Sequence, residues 1–195
     1  ASSEALFFYP GKMRGMSKQD NIFLVGLMGA GKTTVGKLLA RQLDKTFVDA
    51  DHEIEARTGV KIPVIFEIEG EAGFRKREES VIADLVLQPN TVLGTGGGAV
   101  LSAANRALLA RNGTVVYLRA TPEQLYERTR HDRNRPLLQT EDPLVKLKEL
   151  YRQRDPLYRE VADLVIDTGR QNINSFVRLL RDKLELAMLS SGGDA

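Results

Sequence analysis

The stretch Gly26-Leu27-Met28-Gly29-Ala30-Gly31-Lys32-Thr33 follows directly on the apolar run Ile22–Val25. Glycines five apart, then a lysine and a threonine, are what a backbone needs to wrap a phosphate chain. The glycines permit angles that turn N–H groups inward, Lys32 can reach the β- and γ-phosphates, and the Thr33 hydroxyl can ligate Mg²⁺. The helix that follows adds the positive end of its dipole. Gly29, Ala30, Gly31, Lys32, Thr33 and Thr34 are therefore the candidate phosphate-binding residues. A chance match is the alternative, and placement between a β-like run and an amphipathic helix argues against it.

That strand–loop–helix unit is the first of a series. Five short runs rich in β-branched residues stand at Ile22–Val25, 46–48, Thr91–Gly94, 114–118 and 163–167, separated by helical periodicity. Val35, Leu38, Leu39, Gln42 and Leu43 trace one helix face, as do Phe74, Val81, Ile82 and Leu85, and then Ile173, Phe176, Val177, Leu180 and Leu184. Ser102 is placed to cap a helix ending near Asn112-Gly113, and Thr121-Pro122 reads as a cap followed by an N1 proline. Alternation of this kind implies an α/β fold, a parallel sheet with right-handed crossovers and helices on both faces. Ligands in such folds bind beyond the carboxyl ends of the strands.

Length and charge narrow the function. At 195 residues the chain is most economically one domain, and 42% hydrophobic with 28% charged residues is ordinary for a globular protein. A formal charge of +2 argues for neither a nucleic-acid nor a membrane partner. There is no cysteine, which excludes disulfides and thiolate metal sites and fits a cytoplasmic location. Residues 1–20 read as an N-terminal extension or tag remnant, 21–187 as the domain, and 188–195 as a flexible tail.

Chemistry is expected after the strand ends. Asp49 and Asp51 close the second run, and their spacing on extended chain points both side chains to one side. One carboxylate can organise Mg²⁺ while the other orients a hydroxyl nucleophile; the bland alternative is that Asp51 caps a helix. The third run ends in Thr95 and Gly96, Gly97 and Gly98, where many phosphate-loop proteins carry a metal-binding aspartate, so Asp49 becomes the metal candidate with Thr33. Arginines suit carboxylates and phosphates. Arg75 could simply pair with Glu78 and Glu79 along a helix. The stretch 127–143 differs, because Arg128, Arg130, Arg133 and Arg135 crowd a segment expected to be a mobile lid.

Taken together, the ordered set GLMGAGKTT, DADHEIE, IFEIEGEAGFRKREE, GTGGGAV, NRPLL and RDPLYREVAD resembles the shikimate kinases from about residue 21 to 184. The resemblance implies a nucleoside-monophosphate-kinase-like P-loop fold, its five parallel strands in the order 2-3-1-4-5. It implies ATP-dependent phosphorylation of the 3-hydroxyl of shikimate, with ATP and Mg²⁺ as cofactors and a monomer acting on a small molecule. Position by position, Asp51 would hold the reacting hydroxyl, Arg75 and Arg154 the substrate carboxylate, and Gly96, Gly97 and Gly98 would offer backbone contact. Phe66 and Phe74 would pack on the carbocycle. Lys32, Thr33 and Asp49 would serve the phosphates and Mg²⁺, and Arg135 would enter with the lid. Arg128, Arg170 and Gln171 would hold the adenine.

Two rivals remain at this point. Another small-molecule kinase of the same fold, such as a gluconate kinase, also needs cations for a carboxylate. A nucleotide-binding switch would need no acceptor site, which the arginine pair and the lid argue against.

Overall fold

The structure of the protein, a computed structural model, describes residues 7–8, 20–132, 135–169 and 172–191. Six strands form one sheet: β1 (Phe7–Phe8), β2 (Ile22–Val25), β3 (Thr46–Asp49), β4 (Thr91–Gly94), β5 (Thr114–Arg119) and β6 (Leu164–Asp167). Their order is β3-β4-β2-β5-β6-β1. The five strands from β2 to β6 are parallel, and renumbered alone they stand in the expected order 2-3-1-4-5. β1 is unexpected. It lies within the stretch read as an extension and pairs antiparallel with β6, Phe7 opposite Val165 and Phe8 opposite Leu164.

Parallel neighbours need crossovers, and among the described residues seven α-helices accompany the strands: α1 (Lys32–Gln42), α2 (Ala50–Thr58), α3 (Ile62–Leu85), α4 (Ala103–Asn112), α5 (Pro122–Thr129), α6 (Pro143–Val161) and α7 (Ile173–Ser191). The central strand β2 is wholly buried on both faces, which is why it reads as an unbroken apolar run. Val35 and Leu39 of α1 are buried, while Gln42, expected on the same face, is exposed. In α7, Phe176, Val177, Leu180 and Leu184 enter the core and Ile173 stays 37% exposed. Among the described residues no helix is long and apolar enough to cross a membrane.

Local chemistry sets the helix starts. Ser102 caps α4 by accepting from the Asn105 N–H, and Thr121 with Gln124 forms a capping box ahead of Pro122. At α2 the cap is Asp49, whose Oδ1 accepts from the N–H groups of Asp51 and His52 at 3.0 and 3.2 Å. Asp51 therefore does not cap, and it sits in the first helical turn rather than on extended chain. α3 is broken at Gly70, whose φ of 68° no regular helix contains. Phe66 and Phe74 lie on either side of that break. In a straight helix eight residues would separate them by about 12 Å, yet their ring centroids are 4.9 Å apart.

The order of strands puts the carboxyl ends of β2, β3 and β4 side by side, at the switch in strand order where open α/β sheets hold ligands.

Candidate active site

The phosphate loop leaves β2 through Gly26, Gly29 and Gly31, with φ of 143°, 82° and 95°. Residues that carry a Cβ rarely enter that region. The Lys32 ammonium donates to the carbonyls of Gly26 at 2.7 Å and Leu27 at 3.0 Å, so its stem folds back over the loop. Burial drives the Lys32 pKa down from 10.5 to about 8; Asp51 and Asp49 oppose this, and Arg135 and Arg154 add to it. Lys32 thus stands within electrostatic reach of the charged groups at both ends of the site.

Beside it, the Thr33 hydroxyl donates to Asp49 Oδ2 at 2.8 Å. A hydroxyl and a carboxylate at the mouth of a phosphate loop are the hard oxygen donors that suit Mg²⁺, so Thr33 and Asp49 fit the ion expected there. Asp49 is then shared between two tasks, one oxygen capping α2 and the other facing Thr33.

At the expected acceptor end is a cleft partly open to solvent. Asp51 from α2, Phe66, Phe74, Arg75 and Glu78 from α3, Gly96, Gly97 and Gly98 after β4, Arg135 and Arg154 from α6 all line it. The structure thus brings together all eight residues expected at the substrate. Arg154 is only 2% exposed, yet its Nε and Nη1 have no hydrogen-bond partner. Asp51 Oδ1, Arg75 Nε and Glu78 Oε1 are buried and unpartnered as well. Polar atoms of this kind are costly unless something pairs with them, on the order of 1–3 kcal/mol for neutral groups and more for charged ones. Two cations with free N–H groups and two carboxylates with a free oxygen each, around one cleft, suit a ligand bearing an anion and hydroxyl groups.

Electrostatics agree. Burial raises the Asp51 pKa, the nearby Asp49 raises it further, and Lys32, Arg135 and Arg75 pull it back. Burial raises Glu78 as well, against the pull of Arg75. Burial lowers Arg154, with Arg75 adding to the effect, while Tyr158 opposes it. For Arg75 burial also lowers the pKa, but Glu78 and Glu71 outweigh it.

Glycines make the packing possible. A Cβ on Gly96 would sit 2.3 Å from Glu78 Oε1 and 2.9 Å from Asp51 Oδ1, and one on Gly98 would fall 2.2 Å from the Arg75 guanidinium. The triple glycine is therefore a fitted surface rather than a slack loop.

A second hollow lies on the far side of the phosphate loop, lined by Gly29, Ala30, Gly31, Thr34, Arg128, Thr168, Gly169, Ile173 and Phe176. Arg128 spans it, donating to Gly29 O at 3.3 Å, Thr168 Oγ1 at 3.0 Å and Thr168 O at 2.6 Å. Arg170 and Gln171, expected here too, lie outside the described residues, as does Arg133 of the lid. The lid itself is more anchored than its composition implies. Residues 127–129 are the last turn of α5, Leu138 is buried, and Arg135 Nε donates to Asp132 Oδ2 at 2.8 Å.

Sequence reasoning missed several lining groups. Glu78 pairs with Arg75 at 2.7 Å as the helix spacing suggests, but it is 1% exposed and faces the cleft; Arg75's other partner is Glu71, not Glu79. Met28, Ile62 and Leu137 add apolar wall. Thr168 and Phe176 were equally unforeseen. Only Glu78 carried a signal, its place one turn beyond Arg75.

Comparison with known proteins gives the same answer. The family model described as shikimate kinase matches residues 28–185. A shikimate kinase of Thiobacillus denitrificans is 69% identical over 171 residues, spanning 88% of this chain and 93% of the relative. One from Burkholderia lata is 63% identical, spanning 90% and 95%. The solved shikimate kinase of Acinetobacter baumannii in complex with shikimate is 49% identical, with a TM-score of 0.84 over 90% of this chain and 96% of that one. From the phosphate loop to the last turns of α7, then, the chain belongs to the shikimate kinase family.

Proposed function

We propose that this chain moves the γ-phosphoryl group of ATP to the 3-hydroxyl of shikimate by holding the acceptor between Asp51 and the arginine pair Arg75 and Arg154. Phosphorylation of shikimate on the way to the aromatic amino acids is the reaction of the family. The observation that carries the division of labour is the convergence of unpartnered buried atoms, Arg154 Nε and Nη1, Arg75 Nε and Asp51 Oδ1, on one cleft.

In this reading the two guanidinium groups take the substrate carboxylate, and the Phe66–Phe74 pair supports the ring. Backbone N–H groups at residues 96–98 complete the cradle. The opposite end of the acceptor then lies at Asp51. A carboxylate whose pKa is raised by burial is a better base than an exposed one, so Asp51 Oδ1 is suited to orient the hydroxyl and receive its proton as the O–P bond forms. The transferring group is loosely bonded in the transition state, so positioning and charge matter more than covalent help.

Charge comes from Lys32 on the β/γ oxygens and from Arg135 on the lid. Mg²⁺ held at Thr33 and Asp49 would offset negative charge on the phosphate oxygens. Arg128 with Thr168 and Phe176 would bound the adenine, and Arg170 and Gln171 would join them. Every group named comes from one chain, so a monomer suffices. We place the domain at residues 21–187 with its lid at 127–143.

A coupled ADP-release assay with shikimate, quinate and gluconate side by side tests the reading. ADP release that depends on shikimate is expected. Turnover of gluconate without turnover of shikimate would overturn it.

A further inference from the structure

We propose that the Tyr158 hydroxyl is a positioning group of the acceptor site, fixing the peptide that follows Gly97, beside the Arg154 guanidinium. This inference rests on the acceptor reading above. Tyr158 does not line the cleft; it is completely buried behind it, one helical turn beyond Arg154 on α6. Its hydroxyl donates to the Gly97 carbonyl. The Arg154 guanidinium lies beside this peptide, its Nη1 3.7 Å from where a Cβ on Gly97 would stand. One buried oxygen thus fixes the glycine floor next to a cation of the cleft.

The geometry of the peptide makes this consequential. In a trans peptide the C=O and N–H groups point in opposite directions, so fixing the Gly97 carbonyl also sets the direction of the Gly98 N–H. Glycines have no side chain with which to hold that plane.

Tyr158 is itself held from outside the site. Its ring lies against Tyr117 of β5, with centroids 4.8 Å apart and planes at 31°. Tyr117 Oη donates to Asp155 Oδ1 at 2.9 Å, and Arg159 Nε donates to Asp155 Oδ2 at 2.7 Å. The chain of contacts runs from the sheet, through two tyrosines, to Gly97. None of these bonds involves Lys32, Thr33 or Arg128, so the effect should fall on shikimate and spare ATP.

Tyr158→Phe keeps the ring on Tyr117 and removes only the hydroxyl. It should raise the shikimate KM roughly tenfold, the scale of one lost buried hydrogen bond, while the ATP KM stays within about twofold. The melting temperature should move by only a few degrees. Tyr117→Phe, which cuts the Asp155 bond but leaves the Tyr158 bond to Gly97, should keep the wild-type shikimate KM. An unchanged shikimate KM in Tyr158→Phe would overturn the inference. So would a parallel rise of both KM values with a large fall in melting temperature, the mark of a merely structural role. Wild-type protein assayed alongside keeps the two readings apart: its shikimate-dependent turnover bears on the proposed function, and only the variant's KM split bears on Tyr158.

Discussion

Lys32 Nζ lies 2.7 Å from the Gly26 carbonyl, so the cation of the phosphate loop is gripped by the residue that opens the same loop. This bond holds the lysine in register without committing its charge, because a neutral carbonyl leaves the ammonium free to answer phosphate. Lys32→Met should therefore lower kcat by on the order of 10²–10³, the usual cost of losing a charge aimed at the transition state. The fold should survive, since both carbonyl bonds are only partly buried and water can replace them. A folded Lys32→Met protein with more than about a tenth of normal kcat would contradict the assignment.

The same lysine makes nucleotide binding pH-dependent. With its pKa pushed down to about 8, Lys32 loses its charge as pH rises through 8. Phosphates favour the charged form and raise the pKa on binding, so ATP binding should take up protons above about pH 8. Calorimetry in two buffers of different ionisation enthalpy reads this uptake, which should vanish in Lys32→Met. The stability sign follows from linkage. Between about 8 and 10.5 the unfolded chain binds more protons at this residue than the folded one, so the wild type should gain stability with rising pH relative to Lys32→Met. The cost of the buried charge is fully present below about pH 8.

Asp49 divides its two oxygens between the α2 cap and Thr33, and asparagine separates those tasks. Asn caps about as well as Asp, so Asp49→Asn should cost less than about 0.5 kcal/mol in stability. The lost charge should raise the Mg²⁺ concentration needed for half-maximal rate by roughly tenfold or more. An unchanged Mg²⁺ requirement would remove Asp49 from the metal site.

Gly98→Ala tests the fitted glycine surface. Its Cβ would meet the Arg75 guanidinium at 2.2 Å, and the guanidinium is the far end of a flexible side chain. Arg75 should move and the fold should stay, so the shikimate KM should rise several-fold with little change for ATP. Equal effects on both substrates would show that the loop itself had shifted.

Much of this was legible in the residues. The phosphate loop, the five parallel strands and the caps at Ser102 and Thr121 all follow from local periodicity and turn chemistry. What escaped depends on contacts distant in sequence. Glu78 sits in a run of charged residues that reads as a solvated face; only the bare backbone of Gly96 leaves room for it to be buried. The cap reading of Asp51 stays open as the alternative, because the pattern cannot say which of two aspartates ends the strand; the hydrogen bonds to the Asp51 and His52 N–H groups give that task to Asp49. Tyr158 reads as one more core aromatic until its hydroxyl is seen on Gly97, 61 residues away. β1 is too short to carry a periodic signal at all.

In the proposed mechanism Asp51 orients the reacting hydroxyl while Arg75 and Arg154 hold the other end of the acceptor. Arg154→Lys keeps the charge and loses the planar fork, so it should raise the shikimate KM and leave the ATP KM nearly unchanged. The most direct measurement is the kcat of Asp51→Asn at saturating ATP and shikimate. Asparagine keeps the size of the side chain but cannot take the proton, so kcat should fall by roughly 10²-fold or more, with a smaller effect on shikimate binding. Near-normal turnover by Asp51→Asn would contradict the account, because the reaction would then need no base at Asp51.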